Sequence, residues 1–247
     1  MKIIVDGKEI DAVLGETLLG AARRAGIHIP TLCYHESLEG QGRCRLCMVE
    51  VNEGGRKEVV ASCTYPVKEG IEVTTSTPVI DKIRRNIIML LYKRATGSPV
   101  MRQLFQEYGC PQNSLQENPE ERCILCNICV RACEELGSSA ISLIMRGTQK
   151  RVATPYDEAA AVCIGCGTCA RVCPAGAIEM TEKEGIRVIW NKAFAMQACS
   201  RCGSYYASRE EIAHLTARKP EYVIQSDLCE DCRKRMMAEK IAVFVSE

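Results

Sequence analysis

The segment CILCNICVRAC, residues 123–133, recurs in cysteine register as CIGCGTCARVC at residues 163–173. Each copy has the spacing Cys-x2-Cys-x2-Cys-x3-Cys, which is typical of paired [4Fe–4S] sites. Three thiolates on one tight loop hold a cluster, and the fourth cysteine follows at the start of a helix. Eight free cysteines would have no physical reason to keep this spacing twice. The repeat therefore predicts two [4Fe–4S] clusters within residues 122–190.

The fourth cysteine of such a run ligates the cluster of the other run. This crossed pattern assigns the ligands of the first cluster as Cys123, Cys126, Cys129 and Cys173. It assigns those of the second cluster as Cys163, Cys166, Cys169 and Cys133. Neither run lacks a ligand, so a [3Fe–4S] variant is not expected.

Composition indicates that the other cysteines also serve metal sites. The chain has 17 cysteines among 247 residues. Secreted disulfide scaffolds are usually shorter than about 80 residues and follow a signal peptide, whereas Asp6 interrupts any apolar segment at the start of this chain. The longest apolar run, residues 87–92, is far shorter than the roughly 20 residues that span a bilayer. We expect a cytoplasmic protein with metal sites and no membrane span.

The charge distribution argues against a nucleic-acid partner. The formal net charge is +1, and no basic stripe with interleaved aromatic residues is present. Basic clusters at residues 23–24, 82–85 and 233–235 are expected on solvated helix faces, where they could steer an acidic partner. A cluster-bearing regulator with a nucleic-acid-binding zinc ribbon is the alternative from a different functional class.

A third group of cysteines, near the N-terminus, predicts a [2Fe–2S] cluster. Its members are Cys33, Cys44, Cys47 and Cys63. The first gap is longer than in plant-type [2Fe–2S] loops, but Gly42 opens a cysteine loop that leads into a strand. Such a loop can turn backbone N–H groups toward cluster sulfurs. A four-cysteine zinc site is the alternative. Because four cysteines suffice, His28 and His35 are expected to be loop or core residues.

The last group predicts a structural zinc site. Two Cys-x2-Cys pairs are separated by 26 residues, at Cys199, Cys202, Cys229 and Cys232. Two such knuckles close a tetrahedral site. Iron, a fourth cluster and unmetallated thiols are the alternatives. Cys110 belongs to no group and is expected to be a free thiol.

Local patterns predict an α+β fold. In the N-terminal part we expect strands near residues 2–5, 9–13, 48–51 and 59–61 and a helix over 16–25. Thr77 and Pro78 predict the start of a long helix whose apolar stripe is Ile80, Ile83, Ile87, Leu90 and Leu91. That helix should end at residues 97–99, before a polar linker at 112–121. Near the C-terminus we expect a helix at 209–217, capped by Ser208 with Glu211, and a strand at 242–245.

These elements predict four modules. They are a β-grasp-like [2Fe–2S] ferredoxin domain (1–76), a helical connector (77–121), a bacterial dicluster ferredoxin domain (122–190) and a zinc-ribbon-like module (191–247).

Residues 1–180 resemble the N-terminal region of the large iron–sulfur subunit of respiratory complex I. They resemble equally the small diaphorase subunit of NAD-linked hydrogenases. The matching segments are PTLC (30–33), GRCRLCMVE (42–50), RCILC (122–126), VRAC (130–133) and CPAGA (173–177). Those families usually place a [4Fe–4S] motif of one His and three Cys between the two regions. Residues 64–122 contain no His and only Cys110, so that cluster is not expected here.

Residues 120–240 are similar to the iron–sulfur subunit of formate-hydrogenlyase-type hydrogenases, which joins a dicluster ferredoxin to a zinc ribbon. Together the resemblances imply a relay of single electrons between a flavin/NAD(P)-binding subunit and a catalytic hydrogenase subunit. A formate dehydrogenase catalytic subunit is the alternative partner. The sequence has no Gly-rich dinucleotide fingerprint and no phosphate loop, so flavin and nicotinamide are expected on another subunit. No catalytic residue is assigned.

Overall fold

The computed structural model describes residues 1–112, 114, 117–218 and 227–245. The chain forms two units, each made of two segments. The first unit comprises Met1–Arg131 and Val172–Ala177, and the second comprises Ala132–Arg171 and Ile178–Glu247. Helices and strands alternate irregularly in both, which confirms the predicted α+β class.

A five-stranded mixed sheet forms the N-terminal part of the first unit. Its strands are β1 (Lys2–Val5), β2 (Lys8–Asp11), β3 (Met48–Glu53), β4 (Arg56–Ala61) and β5 (Glu72–Thr74). The order is β2-β1-β5-β3-β4, with β1 and β5 parallel and the other neighbours antiparallel. The central strand β5 (Glu72–Thr74) was not predicted.

The helix α1 (Leu18–Arg24) contributes Leu18, Leu19, Ala21 and Ala22 to the core of this domain. The Thr17 hydroxyl caps it by accepting the N–H of Gly20 at 3.2 Å. Leu18 and Leu19 are buried with alternating residues of the sheet such as Val49 and Val51. Full burial of one such side chain contributes about 1.5–3 kcal/mol, so this core fixes the ends of the loop that carries the first three cysteines.

The helix α2 (Pro78–Arg94) begins where the sequence predicts. The Thr77 hydroxyl accepts the N–H of Ile80 at 3.2 Å. Its buried face differs from the predicted stripe, because Arg84 is buried and Leu90 is 55% exposed. The prediction of a fully solvated basic face at residues 82–85 was therefore wrong for Arg84.

The helix α3 (Pro99–Glu107), which follows α2, was not predicted. The Ser98 hydroxyl accepts the N–H of Met101 at 3.3 Å and donates to the Ala175 carbonyl at 2.7 Å. A serine followed by proline ends one helix and begins another equally well. The predicted linker at 112–121 lies partly outside the described residues.

Each cysteine loop of the repeat is followed by a short helix. These are α4 (Ile128–Glu135) and α5 (Thr168–Arg171). Between these two helices along the chain, β6 (Ser142–Ile144) and β7 (Arg151–Ala153) form a two-stranded antiparallel sheet in the second unit. The unit boundary falls inside α4, after Arg131, and the chain returns to the first unit after Arg171.

A four-stranded antiparallel sheet in the second unit was not predicted. Its strands are β8 (Met180–Lys183), β9 (Ile186–Ile189), β10 (Lys192–Ala198) and β11 (Tyr205–Ser208), in the order β11-β10-β9-β8. The pairing of Ile189 with Lys192 spans residues 190 and 191, where the sequence suggested a module boundary.

Two helices complete the second unit. The helix α6 (Arg209–Arg218) confirms the prediction, and the Ser208 hydroxyl accepts the N–H of Glu211 at 3.0 Å. The strand predicted at 242–245 was wrong, because the helix α7 (Glu230–Val245) continues through it. The residues of α7 before 242 are good helix formers, so the helix extends through this segment. Within the described part of the chain, no helix combines the length and the apolar character needed to cross a bilayer.

Candidate metal centres

The four N-terminal cysteines come together as buried thiols. The N–H of Cys44 donates to the Sγ of Cys33 at 3.3 Å. Hydrogen bonding from the Cys33 thiol lowers the pKa of Cys44 to about 6, and the Cys63 thiol likewise lowers the pKa of Cys47 to about 6. As donors, Cys33 and Cys63 have raised pKa values. Because thiolates are the species that bind iron, this set suits a cluster.

Buried polar groups hold the Cys44–Cys47 loop in place. Arg84, only 6% exposed, donates to the carbonyl oxygens of Leu46 at 3.2 Å and Met48 at 2.9 Å. The Ser62 hydroxyl donates to the carbonyl of Cys47 at 2.8 Å. Burial lowers the pKa of Arg84, but a guanidinium stays charged at physiological pH. The loop is thus fixed from α2, by a residue that sequence analysis placed on a solvated face.

Gly40 makes the closest backbone approach to this site. A Cβ at position 40 would lie 2.0 Å from the carbonyl oxygen of Cys63 and 3.1 Å from its Cβ. The backbone of Cys63 cannot yield without moving its thiol. Glycine is therefore required here by space alone.

We expect Gly40→Ala to displace Cys63, to destabilise the domain by about 1–3 kcal/mol and to remove most of the [2Fe–2S] EPR signal. The exposed neighbour Gln41 provides the control, since Gln41→Ala should keep the signal. An intact signal in Gly40→Ala would show that Cys63 is not a ligand.

The four cysteines predicted to hold the first [4Fe–4S] cluster lie wholly within the first unit. Cys123, Cys126 and Cys129 belong to its first segment, and Cys173 belongs to the returning segment Val172–Ala177. Burial raises the pKa of Cys126 to about 11. The nearby charge of Cys173 is a smaller cause of the same rise. The Sγ of Cys123 accepts the N–H of Leu125 at 3.4 Å, and the Sγ of Cys173 accepts the N–H of Ala177 at 3.3 Å.

The four cysteines predicted to hold the second [4Fe–4S] cluster lie wholly within the second unit. Cys133 lines one cavity together with Cys163, Cys166, Cys169 and Trp190. The Sγ of Cys133 accepts the backbone N–H of Ala140 at 3.2 Å. Burial raises the pKa of Cys169 to about 11, although the indole N–H of Trp190, which stabilises the thiolate, opposes this rise.

The loop that carries the second set is held by residues that sequence analysis missed. Arg187, 1% exposed, donates to the Gly165 carbonyl at 2.7 Å and to Glu182 at 2.8 Å. The Lys192 ammonium donates to the carbonyls of Ala160, Ala161 and Cys163 at 3.3, 3.2 and 3.0 Å. These residues lie outside the repeat, so no motif points to them.

The four C-terminal cysteines bring their sulfurs into one compact group. The Sγ atoms of Cys199, Cys202, Cys229 and Cys232 all lie within 4.8 Å of one another. The pair Cys202–Cys229 is separated by 3.8 Å. A tetrahedral zinc with Zn–S bonds of about 2.3 Å requires sulfur separations of about 3.8 Å. An iron–sulfur cubane would spread its thiolates further, because each binds a different iron. The geometry suits one tetrahedral ion.

The remaining candidate side chains belong to none of the four cysteine groups. Cys110 is half-buried, and its thiol donates to the Arg85 carbonyl at 3.4 Å. His28 is exposed, and the Nδ1 of His35 accepts the N–H of Ser37 at 3.2 Å. Among the described residues, neither histidine joins a group that could hold an ion.

Comparison with protein families identifies two of the predicted domains. Residues 1–78 match the family model for a 2Fe-2S iron-sulfur cluster binding domain. Residues 118–180 match the family model for a 4Fe-4S dicluster domain. The chain therefore carries both kinds of iron–sulfur domain, as the cysteine groups predict.

Comparison with curated proteins gives relatives of known type. A G-type NADH-quinone oxidoreductase subunit of Rhizobium meliloti is 30% identical over an alignment of 232 positions, and the match covers 83% of this chain and 27% of the relative. The alpha subunit of the NADPH-Fe(3+) oxidoreductase of Geobacter sulfurreducens is 32% identical over an alignment of 203 positions, and the match covers 72% of this chain and 24% of the relative. The chain thus spans about a quarter of the length of these relatives.

A solved structure extends the comparison. A chain of the NAD+-reducing [NiFe]-hydrogenase, crystallised in its H2-reduced state, superposes with a TM-score of 0.60 at 28% identity. The match covers 71% of this chain and 85% of that one. The predicted resemblance to both groups of proteins is confirmed.

Proposed function

We propose that this chain, an iron–sulfur homologue of the G-type subunits of NADH-quinone oxidoreductase and of a chain of the NAD+-reducing [NiFe]-hydrogenase, is an electron-transfer subunit of a multisubunit oxidoreductase. The observation that carries the proposal is the division of the eight repeat cysteines between the two units. Each unit contains one set of four, and the fourth member of each set comes from the other run. This division supports two complete [4Fe–4S] sites.

The residues of this chain fit the groups proposed for it. Bound iron–sulfur clusters supply reversible one-electron redox chemistry. The chain contributes thiolates from Cys33, Cys44, Cys47 and Cys63 for a [2Fe–2S] cluster and the two repeat sets for [4Fe–4S] clusters. Backbone N–H groups directed at sulfur, such as those of Cys44, Leu125 and Ala140, stabilise the ligated thiolates. Cys33, Cys44, Cys47 and Cys63 are all buried, which limits access of water to the [2Fe–2S] site.

The proposed partners follow from what the chain lacks and from its relatives. No nucleotide fingerprint is present in the sequence, so a separate subunit would bind flavin and NAD(P). The likeness to a chain of a [NiFe]-hydrogenase supports a hydrogenase catalytic subunit as the second partner. We place the complex in the cytoplasm, where reducing conditions keep unmetallated cysteines as thiols.

For the C-terminal cysteines we propose a structural Zn²⁺. Zinc has no accessible redox couple, so it would organise the chain rather than carry electrons. The helix α7 exposes Met237 by 59% and Ile241 by 63%. Apolar side chains held on a metal-fixed helix suit a docking role toward a neighbouring subunit.

Metal analysis tests the cluster count. One [2Fe–2S] and two [4Fe–4S] clusters require about ten iron atoms per chain, which we expect from iron and sulfide analysis of anaerobically prepared protein. The variant Cys33→Ser should lose about two of them together with the [2Fe–2S] EPR signal. A value near eight in the unmodified chain, with no [2Fe–2S] signal, would remove the N-terminal cysteines from the relay.

A further inference from the structure

Trp190 occupies a backbone conformation that does not suit it. It forms, with Asn191, the two-residue turn between β9 and β10, closed by the pairing of Ile189 with Lys192. The φ angles of Trp190 and Asn191 are 52° and 57°. Two successive left-handed residues define a turn that favours Asn, Asp and Gly. Asparagine meets this preference, but a large aromatic residue at the first position is strained.

The strained position directs the indole at a predicted cluster ligand. The Nε1–H of Trp190 donates to the Sγ of Cys169 at 3.4 Å. The same ring lines the cavity formed by the second set of cysteines. An indole N–H is a donor only, so the sulfur is the acceptor. Trp190 is also the single tryptophan of the chain.

Neighbouring side chains of the same hairpin keep the turn in register with the cysteine loop. Arg187 on β9 donates to the carbonyl of Gly165, and Lys192 on β10 donates to that of Cys163. Ile189 is buried beside them, at 2% exposure. The indole is therefore presented by a hairpin that is anchored on both strands, and the hydrogen bond to Cys169 is not an isolated surface contact.

A hydrogen bond to a ligating sulfur has a defined electrostatic consequence. It withdraws negative charge from the sulfur, and this stabilises the reduced form of a cluster more than the oxidised form, because the reduced form is more negative. Such a bond raises the reduction potential. The donors to Cys123, Cys133 and Cys173 are backbone N–H groups, whereas the donor to Cys169 is a side chain that substitution can remove.

We propose that Trp190 is a positioning residue that raises the reduction potential of the [4Fe–4S] cluster held by Cys133, Cys163, Cys166 and Cys169. The proposal rests on the proposed electron-transfer function and extends it. It gives one of the two [4Fe–4S] sites a hydrogen-bond donor, from outside the repeat, that sets the reduction potential of its cluster. Electron flow between the two sites would then depend on the β9–β10 hairpin as well as on the cysteine loops.

Trp190→Phe tests the proposal, since it keeps an aromatic ring and removes the N–H. EPR-monitored redox titration of the full chain should show a lower potential for the second [4Fe–4S] cluster. We expect about a tenfold change in its oxidised-to-reduced ratio at fixed potential, which is about 59 mV for a one-electron couple. The [2Fe–2S] signal is the internal control, and Tyr205→Phe, an exposed aromatic on the same sheet, is the matched variant. An unchanged potential with full iron content would overturn the proposal.

A second measurement needs no variant. Labelling the chain with indole-¹⁵N tryptophan introduces one labelled ring, and pulsed EPR of the reduced protein should detect a ¹⁵N coupling to one [4Fe–4S] cluster. Two [4Fe–4S] signals without any ¹⁵N coupling would overturn this inference and leave the proposed function standing. A wild-type chain without [4Fe–4S] signals would overturn both.

Discussion

Replacing Cys173 with serine should remove the first [4Fe–4S] cluster and spare the second, although Cys173 belongs to the second cysteine run. The segment Val172–Ala177 returns to the first unit, where the Ala175 carbonyl accepts the hydroxyl of Ser98 at 2.7 Å. The charge of Cys173 is also among the causes that raise the pKa of Cys126. The thiol is therefore held near the Cys123–Cys129 loop.

The expected loss is about four of the ten iron atoms, with the EPR signal of the second cluster retained. Cys133→Ser is the matched reciprocal variant, because Cys133 lies with Cys163, Cys166 and Cys169 in the second unit. It should remove the second cluster and spare the first. Cys110→Ser, at a cysteine outside all four groups, should leave both signals unchanged. If each variant instead removes the cluster of its own run, the ligation is not crossed.

The double variant Cys229→Ser, Cys232→Ser should lose the C-terminal metal ion and unfold α7 from its neighbours while keeping all of the iron. The apolar contacts available there are few: Cys199, Cys229 and Cys232 are buried with only Tyr206 and Leu228 packed against them among the described residues. Structural zinc supplies about 10–16 kcal/mol of apparent binding energy in small zinc peptides. A zinc ion bound by the four C-terminal cysteines would therefore provide most of the local stability.

Hydrogen exchange is the direct readout of this effect. Amides of α7, from Glu230 onward, should exchange at close to unprotected rates in the double variant, whereas those of α2 should keep their protection. Zinc content should fall from one per chain to zero, and partner subunits should no longer co-purify. Cys110→Ser again provides the control. Iron in this site, or a double variant that loses cluster signals but keeps its partners, would contradict the structural role.

The features that the sequence predicted are the local ones. Three cysteines on one loop must have a fixed spacing to reach one cluster, so the repeat identified both loops without any tertiary information. The starts of α2 and α6 were predicted for the same reason, because Thr77 and Ser208 satisfy N–H groups three residues away. The ligand assignment itself came from the same spacing and stays a prediction for the variants above to test.

Other features were decided by contacts between distant residues. Burial of Arg84 depends on the carbonyls of Leu46 and Met48, which lie 38 and 36 residues away. The strand predicted at 242–245 is helical, because an apolar run becomes a strand only where a partner strand is available to pair with it. Trp190 reaches Cys169 only through the hairpin of β9 and β10. The sequence by itself determined which cysteines form groups with metal-ligand spacing, because ligand chemistry and spacing are local. The tertiary structure decided which groups surround each site, since long-range packing has no local pattern.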